Sequence, residues 1–125
     1  MTDEHLRIQK LLADIHKSAT RIVSRLKDNT EDDFSSPSGE DLRDITARHI
    51  GILGEASASL LKKHSEFCES HSEIPFRQAR GLRNLLIHNY DGIEWHEVWI
   101  ITQRDIPELL KAITPYIDED TLNKD

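Results

Sequence analysis

Apolar positions along this chain recur at the spacing of a helix, and alternation of the strand kind is hard to find. Between Thr2 and about Lys27, Ile8, Leu11, Ile15, Ala19, Ile22 and Leu26 follow one another at intervals of three and four, with Lys, Arg and Asp on the other side. That pattern predicts an amphipathic helix of about six or seven turns. The stretch Asp28 to Gly39 gathers Asn, Thr, Ser, Pro, Gly and four acids, breaks the period and reads as a loop. Ser38 followed by Asp41 resembles a capping box, so a second long helix is expected to open there. Its stripe is Leu42, Ile45, His49, Leu53, Ala56 and Leu60. Gly51 and Gly54 lie inside it, each costing about 1 kcal/mol relative to alanine. Close packing on a neighbouring helix or a second subunit is the expected reason.

After the polar stretch His64 to Ser72, Pro75 stands where the first turn of a helix tolerates it, and Phe76, Ala79, Leu82 and Leu86 continue an apolar face. This third helix is expected to end near His88, because Asn89-Tyr90-Asp91-Gly92 is a turn signal. A short helix should run from Trp95 to about Gln103. Asp105 with Glu108 as a second capping box, and Pro107 in the first turn, should then open a last helix through Leu109, Leu110, Ile113 and Ile117. Asp118 to Asp125 reads as a frayed tail. The expected fold is all-α, an up-and-down bundle of four to five helices with short connections.

Length and composition narrow the picture further. The 125 residues fit one domain, 1–125, with enough chain to bury a single core. Cys68 is the lone cysteine and cannot form an internal disulfide, and the start Met1-Thr2-Asp3-Glu4-His5 has no basic or apolar leader character. Apolar runs such as Leu85 to Ile87 and Val98 to Ile101 are far short of the roughly 18 residues a membrane span needs. A cytoplasmic address without membrane contact is expected. The net charge of −7 disfavours a protein that coats nucleic acid through many phosphate contacts. Yet no acid occurs from Ile74 to Tyr90, where Arg77, Arg80 and Arg83 stand at helical spacing beside His88. This positive island either binds an anionic substrate or pairs with neighbours such as Glu69 and Glu73.

The seven histidines are scattered, without the paired helical or Cys/His spacing that a metal site requires, so neither metal nor cofactor is expected. The chemistry concentrates in Arg83-Asn84-Leu85-Leu86-Ile87-His88-Asn89-Tyr90. A guanidinium can fork onto phosphate oxygens, an imidazole titrates near neutrality, and a phenol donates a hydrogen bond. Together they suit phosphodiester cleavage. On an ideal helix Arg83 and His88 lie roughly 140° apart, whereas Asn84 and His88 share a face. Either the helix unwinds at His88, or another subunit completes the site, or His88 simply caps the helix end.

Arg83-x-x-x-x-His88-x-Tyr90 resembles the signature of the HEPN superfamily, and the surrounding chain is similar to its HepT-like branch. The likeness runs through Ile52-Leu53-Gly54-Glu55-Ala56, Ile74-Pro75-Phe76-Arg77, Gly81-Leu82-Arg83-Asn84, Ile87-His88-Asn89-Tyr90, Ile93, Val98-Trp99 and Asp105-Ile106-Pro107-Glu108-Leu109. Phe76 departs from it, standing where tryptophan is more usual. The resemblance implies a helical bundle forming a symmetric homodimer, with higher assembly open, and a metal-independent endoribonuclease toxin acting on RNA. It implies Arg83 and His88 as catalytic, with Asn84 and Tyr90 supporting, and Arg77 and Arg80 are read as substrate-binding. It further implies a cognate minimal nucleotidyltransferase antitoxin of the MntA kind that transfers AMP to Tyr90. The alternative is a non-enzymatic helical partner, acceptor or nucleotide-binding subunit of such a transferase.

Overall fold

In the computed structural model, which describes residues 2–87 and 92–123, all regular structure is helical. Helix α1, Asp3–Leu26, starts where the Thr2 hydroxyl accepts the His5 N–H at 3.0 Å. Of its expected stripe Ile8, Ile15, Ala19, Ile22 and Leu26 are buried, and Leu12, which the expected stripe did not include, is buried with them. Leu11 lies only partly buried at the edge.

The expected loop after α1 contains a helix. Thr30 and Asp33 form a reciprocal capping box, the Asp33 N–H donating to Thr30 Oγ1 at 3.1 Å and the Thr30 N–H to Asp33 Oδ2 at 2.9 Å. Helix α2, Glu31–Ser35, follows, and a 3₁₀ turn over Pro37–Gly39 leads on. Phe34 explains why so polar a stretch folds. Its ring is fully buried, with centroids 5.9 and 5.4 Å from those of Trp95 and Trp99. Arg43 clamps the turn from α3, donating to the carbonyls of Phe34 and Ser36 at 2.8 and 2.6 Å.

Helix α3, Glu40–Lys63, continues from that turn with Gly39 at its N-cap and no side-chain cap. The expected Ser38 and Asp41 box does not form, since the Ser38 hydroxyl pairs with Ser36 at 2.9 Å. A 3₁₀ turn that feeds straight into the helix leaves no extended residue to cap it. Leu53, Ala56 and Leu60 of the expected stripe are buried, together with Thr46, Ile50, Gly54 and Ser57; Leu42, Ile45 and His49 are half-buried along its border.

Helix α4, Ser65–Ser70, lies in the polar stretch and is held by buried Cys68 and by Phe67 stacked on His71 at 4.3 Å. Helix α5 is Phe76–Ile87, with Phe76, Ala79, Leu82 and Leu86 buried as the apolar face predicts. Helix α6, Trp95–Gln103, has the expected bounds. Helix α7, Asp105–Ile113, opens without the expected capping box, because the Asp105 carboxylate accepts from Arg104 Nε at 2.9 Å. A 3₁₀ turn, Thr114–Tyr116, and the short helix α8, Glu119–Leu122, complete the order.

The tail expected to fray is tied down at its start. Asp118 Oδ2 lies 2.7 Å from His5 Nε2, and the Asp118 N–H donates to Gln9 Oε1 at 2.7 Å. Gln9 Nε2 in turn donates to the Tyr116 carbonyl at 2.9 Å. These contacts also set the direction of α7 against α1. Ser18 meets His49 while Glu4 meets His64, so α1 and α3 run antiparallel. Gly54 faces Ala79 and Arg83 while Leu61 lies near Phe76, so α5 runs antiparallel to α3. One core cluster joins these helices from Ile8 to Ile117. Among the described residues no helix is long and apolar enough to cross a membrane.

Candidate active site

Helix α5 sets its chemistry by its own periodicity. With Ala79, Leu82 and Leu86 inward, steps of about 100° per residue carry Arg80, Asn84 and Arg77 to one exposed arc and leave Arg83 at its border with the core. The burial agrees. Arg77, Arg80 and Asn84 are exposed, and the Arg83 side chain keeps 28% of its surface. The acid partners suggested by sequence do not take the arginines. Glu73 accepts the Tyr116 hydroxyl, which holds its carboxyl below the usual range and raises the phenol. Among the described residues, Arg77 and Arg80 make no ion pair.

Arg83 is fixed from α3. A Cβ placed on Gly54 would lie 2.7 Å from Arg83 Cβ and 3.3 Å from the Ala79 carbonyl oxygen, so a glycine is what lets the two helices approach here. The next residue, Glu55, forms an ion pair with Arg83 Nη1. Arg83 Nε is turned inside and has no hydrogen-bond partner among the described residues. Sequence reasoning placed Gly54 and Glu55 within a family-like segment without a role for Glu55; a pair 28 positions apart leaves no local signal. Gly51 is different. A Cβ there meets nothing within 4 Å among the described residues, and the position lines a surface groove of about 490 Å³ with Leu11, Arg48, Ile52 and Glu55.

Of the expected site, then, the structure places Arg77, Arg80, Arg83 and Asn84 on one side of α5. His88 and Tyr90 lie outside the described residues. Four of the other histidines serve contacts between elements, His5 with Asp118, His49 with Ser18, His64 with Glu4 and His96 with Glu31, while His71 meets the Phe67 carbonyl at the end of α4. Among the described residues, no group of three or more His, Cys, Asp or Glu could hold a metal ion. Cys68 lines a cavity of about 410 Å³ near Arg77, and burial pushes its thiol up, away from the thiolate a nucleophile needs.

A helix presenting arginines over an acid-free segment is common to many anion-binding proteins, so comparison with known sequences decides the family. The family model described as Ribonuclease HepT-like matches residues 15–115. This chain belongs to the HepT-like ribonuclease family. The match runs from the middle of α1 into the 3₁₀ turn before α8, and includes Gly54, Glu55 and the whole of 83–90. One relative, a candidate RNase of Methanocaldococcus jannaschii, is 31% identical over 106 residues, 85% of this chain and 93% of that one. A second protein of that organism, described as a gamma-glutamylcyclotransferase and candidate RNase, is 34% identical over 88% of this chain, which spans only 47% of its length. A protein of Thermococcus cleftensis named "Probable ribonuclease HepT" is 37% identical over 50% of this chain and 54% of its own. No solved structure gives a significant match.

Proposed function

We propose that this HepT-like chain is a metal-independent endoribonuclease whose catalytic groups are Arg83 and His88, working in a cleft between two copies of the chain. The observation that carries the reading is the family match across the segment in which α5 sets Arg83 at its surface, beside Arg77, Arg80 and Asn84. His88 acts as general base on a ribose 2′-hydroxyl or as general acid to the leaving 5′-oxygen. Arg83 stabilises charge growing on the phosphoryl group. Asn84 orients His88 or holds a phosphate oxygen, Tyr90 positions substrate, and Arg77 and Arg80 bind the flanking backbone. Two copies resolve the angular separation of Arg83 and His88 along one helix and double the positive charge of the cleft.

The protein acts in the cytoplasm as a toxin, and a minimal nucleotidyltransferase antitoxin neutralises it by transferring AMP to Tyr90. The added phosphate would sit beside the motif arginine and block the cleft by charge and bulk. Purified protein in the presence of a chelator should cut RNA and spare a substrate carrying deoxyribose at the cleavage position. Replacing His88 by alanine should lower cleavage by about 10² to 10⁴. Full activity of His88→Ala would refute the assignment. Adenylate on Tyr90 should appear by mass spectrometry after co-expression with the transferase.

The net charge of −7 favours a second reading, in which the chain is a non-enzymatic partner or acceptor for the transferase. Tight transferase binding with no RNA degraded would select it.

A further inference from the structure

We propose that Glu55 is a positioning residue, holding the Arg83 guanidinium in a set orientation before RNA arrives; this rests on the reading that Arg83 acts on the scissile phosphate. Three observations carry it. The close approach of α3 and α5 at Gly54, with its would-be Cβ 2.7 Å from Arg83 Cβ, fixes where the arginine leaves its helix. The remaining freedom lies in the long side chain, and the Glu55 carboxylate takes its far end at Nη1. Nη1 is taken by Glu55 and Nε is buried without a hydrogen-bond partner among the described residues, which leaves Nη2 as the third nitrogen.

The gain from such an arrangement is kinetic. A donor aimed in advance at developing charge stabilises the transition state without reorganising during the reaction. Glu55 itself is 68% exposed, and ion pairs so open to water add little to folding. Removing its carboxylate should leave the bundle intact and isolate the effect on Arg83. A carboxylate that merely competed with RNA phosphate for Nη1 would act in the opposite sense, weakening binding.

The test compares the full-length protein with Glu55→Gln, Glu55→Asp and Glu55→Ala, each alone, and sets Glu55→Ala beside Arg83→Ala and the double variant. Cleavage of a short RNA gives kcat and KM separately. Glu55→Ala should lower kcat on the order of 10- to 100-fold, the scale for a displaced catalytic group, with KM changed less than about threefold. Glu55→Asp should recover part of the loss. In the Arg83→Ala background, Glu55→Ala should have no further effect. Unchanged kcat, a fall in KM with kcat retained, or additivity in the double variant would each overturn the proposal. A readout independent of cleavage is the ¹⁵N relaxation of the Arg83 Nε–Hε group, assigned by its loss in Arg83→Ala. It should be ordered in the wild type and mobile in Glu55→Gln. Equal order in both would overturn the proposal even where the wild type cuts no RNA, an outcome that would defeat the ribonuclease reading by itself.

Discussion

At the scale of single residues, the two glycines of α3 make opposite predictions from the same helix. Gly51→Ala adds a methyl group where nothing lies within 4 Å among the described residues, so the helix should gain roughly 0.5–1 kcal/mol from the better backbone propensity. Gly54→Ala drives a Cβ into Arg83 Cβ, which is no flexible chain end, and should cost about 1–3 kcal/mol. Urea unfolding of both variants checks the pair, and Gly54→Ala should lose cleavage as well. His49 carries a pH prediction. Burial first, then Arg48, Arg21 and Lys17, hold its imidazole below the ordinary value, while Nδ1 meets Ser18 Oγ at 3.1 Å. The unfolded chain therefore takes up this proton before the folded one, so stability is lost as pH falls through about 6.5. Unfolding midpoints near neutral and mildly acidic pH should fall less for His49→Gln than for the wild type. These roles depend on what a side chain meets, and spacing along α3 could name both glycines without telling them apart.

At the scale of elements, α1 and α5 were legible because each repeats an apolar stripe over enough turns to identify its period and its bounds. Helix α2 was not. A five-residue element has one inward residue, Phe34, and one such residue has no period. Its stability instead comes from the Thr30 and Asp33 box and the two tryptophans above the ring. Thr30→Ala should cost about 0.5–2 kcal/mol. Phe34→Ala should cost about 3–5 kcal/mol and shift the fluorescence of Trp95 and Trp99. Ser38→Ala should be close to neutral, because the Ser38 hydroxyl caps no helix. The capping residues suggested for α3 and α7 failed for one reason: in both places helical backbone runs in from the preceding turn, and the side chains found other partners.

At the scale of the whole molecule, a net charge of −7 with a local acid-free arc on α5 predicts that, under the ribonuclease reading, RNA is held through few phosphate contacts. Each contact to single-stranded RNA contributes about −0.7 to the slope of log affinity against log salt. Arg77→Ala or Arg80→Ala should therefore reduce that slope by about 0.7 each, measured on a substrate protected by deoxyribose at the cleavage position. The amino-acid order alone determined the helical class, the course of the long helices, the arginine arc and the motif with its family likeness, because each is a repeat or a string within one segment. Only the tertiary structure decided that α2 exists, that Asp118 is fastened to α1, and that Gly54 and Glu55 hold Arg83. Those contacts join residues far apart in the chain, and a local pattern carries no record of which distant side chain will be brought against it.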